Sequence, residues 1–268
     1  MNLTNNPWDI TVTDDMSAEL LQIVTTTAID PQIAAARAAQ IHAAVLNKSK
    51  YLSDPNFGRI HTTDLALLFA EYDAAFFGGQ IKLALGEEPL SFGLSKRMTS
   101  SGGKTAKTTH RLTGRRRYEI SVATTILFNC FSDLDHRPIT ACGIVCRDRL
   151  DALQRIMEHE ITHLVEMLLW TKSSCSQERF HSITRRFFGH LENKHNLITP
   201  RERAAVKFGI RPGSKVRFRF DGAQYTGIVN RVSKRATVLV EDPKGQRYTN
   251  GKHYAKFYVP VQSLEPVE

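Results

Sequence analysis

Cysteine is scarce in this chain of 268 residues, which contains only Cys130, Cys142, Cys146 and Cys175. Four clustered cysteines are too few for a disulfide framework in a chain of this length, so we expect reduced thiols. Cys142 and Cys146 have a spacing that metal ligands can use, but a lone pair without a second Cys/His pair nearby is more typical of a buried core. The cysteine pattern therefore argues against a small secreted fold held by disulfides.

Long apolar runs are also missing. No stretch reaches the ~18 apolar residues of a membrane span, and residues 1–9 lack the basic start and apolar run of a secretory signal. The hydrophobic share of 41% is ample for a core, and no residue type recurs at the period of a solenoid. We expect a globular, intracellular protein of the cytoplasm that has no membrane partner, with the nucleoid as a candidate location.

Acidic residues are absent from residues 96–117, where eight basic residues lie. Residues 201–268 hold fourteen Lys and Arg against six Asp and Glu, so with a total of +9 the rest of the chain is net acidic. Two basic segments on an acidic body suit a polyanion such as nucleic acid; the alternative is a solvated surface that keeps the protein soluble. The candidate nucleic-acid contacts in the first segment are Lys96, Arg97, Lys104, Lys107, Arg111, Arg115, Arg116 and Arg117.

Apolar residues recur at helical spacing in most of the first 207 residues. Residues 17–46 read as a helical hairpin that breaks at Asp30-Pro31, with Asp30 as an N-cap and Pro31 as the first helical residue. Further helices are predicted near 64–77, 150–171 and 177–191. Between the first two of these the period changes from 3.6 towards 2, which predicts a short antiparallel sheet that carries the first basic segment.

Strict alternation begins at residue 215, where Val216, Phe218 and Phe220 face one way and Lys215, Arg217 and Arg219 the other. The short strands that follow predict a small closed barrel. The expected fold class is therefore α+β followed by an all-β module. We expect an N-terminal helical extension in residues 1–61, a main α+β domain in 62–207 and a small basic β-barrel in 208–268.

The segment His159-Glu160-Ile161-Thr162-His163 lies within a predicted helix. Two histidines four positions apart stand on one face of a helix, so both imidazoles can reach one cation. Zinc prefers nitrogen ligands, and a hydrolytic site keeps one coordination position open. Glu160, beside the first ligand, is placed to act as a general base. The motif predicts a zinc hydrolase with His159 and His163 as ligands and Glu160 as the catalytic carboxylate.

The third ligand has to come from elsewhere, and the downstream candidates are Glu178, His181 and His190. His181 is favoured, because it follows His163 by eighteen positions, enough for the helix to end, turn and return past the zinc. Glu178 stands one turn earlier on the same face, so a His-His-Glu site is the main rival. His190 lies ~13 Å further along the same helix and is expected to pack or cap.

Five segments in order resemble the SprT-like metalloprotease domain: FAEYDAAFFGGQI, LSFGLSKRMTSSGGKT, YEISVATTIL, MEHEITHLVEMLLW and RFHSITRRFFGH. They cover roughly residues 65–190, and LSKRMTSSGGKT is distinctive besides the zinc motif. The resemblance implies a zincin-like α+β fold, zinc bound by His159, His163 and His181, and Glu160 as general base. It also implies relatives that degrade proteins on DNA.

Two features depart from that family. Its third-ligand segment usually reads His-Gly-x-x-Phe, whereas here His181 is followed by Ser-Ile-Thr-Arg. Many relatives carry a cysteine-rich zinc ribbon after the catalytic domain, yet no cysteine follows Cys175. By position and charge, the basic barrel is the candidate for the nucleic-acid or partner module.

The predicted function is that of a zinc metalloendopeptidase acting on or near proteins bound to nucleic acid, DNA more than RNA. A second hypothesis is a nucleic-acid-binding or scaffold protein whose zinc site is structural or vestigial. The intact Glu160 and the open coordination position argue against it, because structural zinc normally has four protein ligands. A zinc hydrolase acting on a non-peptide bond is a third hypothesis, which the resemblance disfavours.

Overall fold

The computed structural model describes residues 15–132 and 136–267, and the chain divides into two compact units between Leu197 and Ile198. The predicted boundary lay ten residues later. The difference arises because the helix Pro200–Phe208 belongs to the second unit, where Ala204 lies in the core. Residues 1–14 of the predicted N-terminal extension lie outside the described residues.

Seven helices are described in the first unit. The predicted break between the first two is confirmed, since the Asp30 carboxylate accepts hydrogen bonds from the backbone N–H groups of Gln32 and Ile33 and Pro31 begins the second helix. The six-residue α4 was not predicted, because it directly follows the Gly78-Gly79 pair that ends α3. The helices are α1 (Asp15–Thr26), α2 (Pro31–Lys48), α3 (Thr62–Phe77), α4 (Gln80–Leu85), α5 (Thr124–Asn129), α6 (Arg149–Trp170) and α7 (Glu178–Phe188).

Helix α6 forms the centre of the first unit and is buried along most of its length. It packs against α3, α7 and the strand Gly103–Thr109. A fully buried carboxylate, Glu158, accepts hydrogen bonds from Tyr72 Oη at 2.7 Å and Arg155 Nη1 at 2.8 Å, and pairs with His190 Nε2 at 2.7 Å. This network joins α6 to α3 and to the residue just beyond α7, so the middle of α6 is held firmly.

A three-stranded sheet consists of β1 (Leu90–Ser95), β2 (Gly103–Thr109) and β3 (Arg116–Ala123). The strand order is β1-β3-β2, with β1 parallel and β2 antiparallel to β3. Strand β2 packs on α6, and no strand within the described ranges pairs with its other edge. An edge strand therefore runs alongside the helix that carries the predicted zinc motif.

Three two-residue strands form a second, smaller sheet: β4 (Thr140–Ala141), β5 (Ile144–Val145) and β6 (His195–Asn196), in the order β5-β4-β6. Ala141 pairs with His195, and the Cys142 N–H donates to Lys194 O at 2.7 Å. These contacts bring the chain after α7 back to the segment that precedes α6. Strands of two residues contain no alternation, so the sequence did not predict them.

The second unit contains α8 (Pro200–Phe208) and a sheet of β7 (Lys215–Phe220), β8 (Ala223–Val232), β9 (Ala236–Arg247), β10 (His253–Val259) and β11 (Glu265–Pro266). The alternation predicted at the start of β7 is confirmed for Val216 and Phe218, which are buried in its core. Phe220 is 48% exposed at the strand end, and its ring lies 5.3 Å from Phe257, the same ring that Phe218 contacts.

The strand order in this sheet is β10-β9-β8-β7-β11. Among the described strands no pairing joins β10 to β11, so the sheet does not close into the predicted barrel. The sheet ends at β11, whose two residues pair with β7 and of which one, Pro266, has no N–H to donate to a further strand. In the part of the chain that the structure describes, no helix is long and apolar enough to cross a membrane.

Candidate metal centre

His159 and His163 face each other on adjacent turns of α6. Their Nε2 atoms lie 3.1 Å apart and their ring centroids 4.8 Å apart. Two nitrogens that bind one tetrahedral ion at ~2.0–2.1 Å lie about 3.3 Å from each other. The distance between the two imidazoles therefore fits a shared metal ion.

A relay of hydrogen bonds holds the far side of His163. Its Nδ1 lies 2.6 Å from Ser173 Oγ, which donates to the buried Glu166 carboxylate at 2.5 Å. Arg179 Nε donates to the other oxygen of that carboxylate at 2.8 Å. Because the hydroxyl proton goes to Glu166, the Ser173 oxygen accepts the Nδ1 proton of His163. This leaves the lone pair of His163 on Nε2, towards His159.

Both imidazoles are kept neutral. Burial lowers the pKa of His163 to about 4. Burial also lowers the pKa of His159, and the neighbouring imidazoles of His195 and His163 lower it further. Neutral imidazole is the form that binds a metal, so at neutral pH no proton has to leave these rings first.

The Glu160 carboxylate lines the same cleft as the two histidines. Thr105 Oγ1 on β2 lies 2.8 Å from Glu160 Oε2 and 2.9 Å from the Glu160 backbone oxygen. Burial raises the pKa of Glu160 to about 7, while hydrogen bonds from Thr105 act in the opposite direction. The result is a carboxylate in a fixed orientation whose proton affinity suits acid–base chemistry near neutral pH.

Two glycines allow β2 to approach the site this closely. A Cβ on Gly103 would lie 2.6 Å from Glu160 Oε1, and one on Gly102 would lie 2.6 Å from His195 Nδ1. Any side chain at either position would displace a group of the site. This contact gives the glycines of the TSSGGKT segment a physical function.

Two groups of described residues could hold a metal ion, and both include His159. One is His159, His163 and Cys175; the other is His159, His195 and Cys142. Within each group the ligand atoms lie within 4.8 Å of one another. Cys175 comes from the turn between α6 and α7, and His195 from β6 with its ring centroid 4.7 Å from that of His159.

The structure does not bring His181, the predicted third ligand, to this pair. In its place α7 presents the buried Phe180 ring, whose centroid lies 4.8 Å from that of His159 and 4.6 Å from that of His163. His181 follows Phe180 on α7, is half-buried, and is not among the described residues that line the cleft. His181 belongs to neither candidate group among the described residues.

The other two residues considered for this role also lie elsewhere. Glu178 is exposed at the start of α7. His190 is buried and contacts Glu158, in agreement with its predicted packing role.

Sequence reasoning missed Cys175 and His195 for different reasons. Cys175 was interpreted as a reduced thiol, although its position between the metal-motif helix and the next helix was a usable signal. His195 reaches the site through the pairing of β4 with β6, which leaves no periodic signal in the sequence.

The site opens into a cleft of about 810 Å³. Polar and charged side chains from residues 100–105, from the α6–α7 turn and from residues 192–196 form its walls. They include Ser101, Lys104, Thr105, Ser173, Glu192, Asn193 and Lys194. A polar cleft of this kind gives a substrate access to the two imidazoles and the carboxylate.

The basic residues of 96–117 differ in their surroundings: some pair within the fold, some line a cleft and some are exposed on a hairpin. Lys107 Nζ donates to Thr171 O at 2.6 Å, and Arg116 Nε pairs with Glu88 at 2.5 Å, so part of the charge is used internally. Lys96, Arg97 and Lys104 line a cleft beside β1. Arg111, Arg115 and Arg117 are exposed at the β2–β3 hairpin, at whose tip Leu112 is 92% exposed.

Comparison of this chain with protein-family models, with curated proteins and with solved structures gives no match. Function must therefore be argued from the chemistry of the site. The site contains two neutral imidazoles that can bind the same ion, with further sulfur and nitrogen donors nearby. It also contains a buried carboxylate in an accessible cleft.

Proposed function

We propose that this chain is a zinc-dependent metallopeptidase, SprT-like in type, with a zincin-like first unit. The observation that carries the proposal is the convergence of His159 Nε2, His163 Nε2 and the Glu160 carboxylate on one cleft. The two histidines would hold the ion, with Cys175 or His195 as a further ligand. When bound, zinc polarises a carbonyl group and lowers the pKa of water.

The donor set supports zinc over the alkaline-earth ions. Imidazole nitrogen and cysteine sulfur are the ligands of both candidate groups. Magnesium and calcium prefer carboxylate, carbonyl and water oxygens, whereas zinc takes nitrogen and sulfur.

Glu160 would act as the general base and then as the general acid. Its carboxylate takes a proton from the attacking water and passes it to the leaving amine. Thr105 fixes the orientation of that carboxylate, and burial brings its pKa to about 7, close to the value that favours transfer in both directions.

Strand β2 supports a peptide as the substrate. Its residues Gly103 and Thr105 line the cleft, and its outer edge has no strand partner in the described ranges. An extended peptide can add to such an edge through main-chain hydrogen bonds, which places its peptide bonds beside Glu160. This edge favours peptide hydrolysis over hydrolysis of a non-peptide bond.

Exposed cations support action near nucleic acid. Arg111, Arg115 and Arg117 are exposed on the first unit, and Lys215, Arg217 and Arg219 are exposed on β7 of the second. Phosphate neutralisation by such side chains is the main source of nucleic-acid affinity. We propose proteins bound to nucleic acid, DNA more than RNA, as the substrates.

One observation favours the alternative, a nucleic-acid-binding protein with a structural zinc ion. His159 belongs to both candidate groups, so the site has enough nitrogen and sulfur donors for the four ligands of a closed site. The buried carboxylate in an open cleft favours catalysis, because a structural site makes no use of it.

Substitution of two carboxylates in the same cleft separates the two functions. Glu160→Gln removes the base, whereas Glu192→Gln changes an exposed carboxylate of the cleft wall as a matched control. Zinc content and cleavage of a DNA-binding protein, with and without DNA, are measured for both variants and the wild type.

The proposal expects zinc in all three proteins and loss of cleavage in Glu160→Gln alone. Equal cleavage by wild type and Glu160→Gln would contradict the peptidase assignment. Stoichiometric zinc without any cleavage would support the structural alternative.

A further inference from the structure

The turn between α6 and α7, residues 171–177, is held against the histidine pair at several points. Ser173 Oγ contacts both His163 Nδ1 and Glu166. Two residues later, the Cys175 backbone oxygen accepts a hydrogen bond from Asn193 Nδ2 at 2.6 Å. The Cys175 side chain is half-buried and lines the same cleft as His159 and His163. The thiol is therefore built into the site.

The distances to the ring nitrogens of His159 and His163 distinguish Cys175 from the other candidate ligands. The Cys175 sulfur lies within 4.8 Å of a ring nitrogen of both His159 and His163. His195 and Cys142 form a group with His159 but not with His163. If both histidines of the motif bind one ion, its third ligand must lie close to a ring nitrogen of each. Of these candidates only Cys175 meets this condition.

We infer that Cys175 is the third ligand of the metal ion, which makes the site a His-His-Cys site. This inference rests on the proposed function, in which His159 and His163 bind zinc. On binding, the thiol S–H bond breaks, the sulfur forms a bond to the metal and the proton leaves to solvent. The thiolate cancels one of the two charges of the ion, and its softness favours zinc or cobalt over magnesium or manganese.

The His195 imidazole then has a different role. It packs beside His159 with its Nδ1 close to Gly102, and its Nε2 is buried. Substitution of His195 should therefore disturb the orientation of His159 without removing a metal bond.

Cobalt substitution of the full chain tests the ligand directly. A thiolate bound to Co²⁺ gives a strong near-ultraviolet charge-transfer band, whereas imidazole ligands give none. The wild type should show this band at one Co²⁺ per chain, and Cys175→Ala and Cys175→Ser should lose it. Cys142→Ala and His181→Ala are the matched controls and should keep it.

Zinc affinity provides a second measurement. Loss of a contact to a ligand costs ~10–100-fold in metal affinity, so loss of a ligand should cost Cys175→Ala at least ~10-fold. Cys175→His should recover affinity without the charge-transfer band, since imidazole replaces the thiolate as donor.

Several results would overturn the assignment. They are a band that survives in Cys175→Ala, a band lost in Cys142→Ala, and a wild type that binds one Co²⁺ without the band. A wild type without the band whose cleavage still depends on Glu160 would retain the proposed function and reject the ligand. A normal band with cleavage unaffected by Glu160→Gln would retain the ligand and reject the peptidase. A folded protein that binds neither metal would reject both.

Discussion

The two histidines of the motif differ in what contacts their outer nitrogens. His163 Nδ1 has Ser173 as its partner, and Ser173 in turn donates to Glu166. Among the described residues, none makes a hydrogen bond to the buried Nδ1 of His159 or to the buried Nε2 of the neighbouring His195. Buried polar atoms of this kind are rare in folded proteins. The His163 ring is therefore oriented by a neighbouring hydroxyl, whereas the His159 ring is held by packing against Phe180 and His195.

Ser173→Ala removes the acceptor that orients His163. Because such outer contacts contribute ~10–100-fold to metal affinity, we expect zinc affinity to fall within that range, as measured by competition with a chelator. Ser176→Ala is the control, since Ser176 is exposed and its hydroxyl contacts that of Ser174 at 2.9 Å. An equal loss in both variants would reject the orienting role of Ser173.

Gly103→Ala tests the close approach of β2 to the catalytic carboxylate. The added Cβ would lie 2.6 Å from Glu160 Oε1, so Glu160 has to move. General acid–base catalysis contributes ~10²–10⁴-fold, so we expect cleavage to fall at least ~10-fold with zinc content unchanged. Gly58→Ala, where no atom lies within 4 Å of the new Cβ, should cleave like the wild type. Full activity of Gly103→Ala would mean that Glu160 tolerates displacement.

At the scale of elements, α6 combines stability with catalysis. The same helix carries His159, Glu160 and His163 on the cleft side and Glu158 towards the core. The contacts of Glu158 with Tyr72 and His190 fix the helix immediately beside the first histidine. Rigid support of this kind is what a metal site with defined ligand distances requires.

Glu158→Ala should destabilise the first unit strongly. It leaves Arg155 buried without its main counter-charge, and removal of one partner of a buried pair costs about 3–5 kcal/mol. The free energy of unfolding is measured by urea denaturation. Arg147→Ala breaks the pair with Asp151, but the Arg147 side chain is 68% exposed, so its cost should stay below ~1 kcal/mol. Similar costs for both variants would show that the buried network contributes little.

At the scale of the whole molecule, each unit carries exposed cations of its own. The first presents Arg111, Arg115 and Arg117 on a hairpin, and the second presents Lys215, Arg217 and Arg219 on one strand. Charge in the first basic segment is partly used within the fold, because Arg116 pairs with Glu88. The two exposed sets have equal formal charge, so they can be compared directly.

Replacement of Arg111, Arg115 and Arg117 by Gln should weaken DNA binding and flatten its salt dependence. Each lost phosphate contact reduces the slope of log K against log salt by ~0.9, so three contacts reduce it by about 3. The same substitutions at Lys215, Arg217 and Arg219 form the matched comparison. Binding isotherms at several salt concentrations give both slopes. Unchanged slopes in both triple variants would exclude these surfaces as the nucleic-acid contacts.

Much of the helical framework could be predicted from the sequence. The amphipathic α6 was expected at residues 150–171 and lies at Arg149–Trp170, because a long periodic segment is a strong signal. The six residues of α4 and the two-residue strands β4, β5 and β6 were not predicted, since they are too short to show a period. The closed barrel was expected from alternation, which predicts strands but not how a sheet ends.

The sequence by itself determined the histidine pair and its carboxylate neighbour, because residues four apart on a helix share a face whatever surrounds the helix. Only the tertiary structure decided which groups from other elements complete the site. Thr105 and Gly103 lie in the site because β2 packs on α6. Cys175 lies there because hydrogen bonds of Asn193 and Ser173 hold the α6–α7 turn in place. The packing of α7, which places Phe180 rather than His181 against the two imidazoles, is not recorded in any sequence spacing.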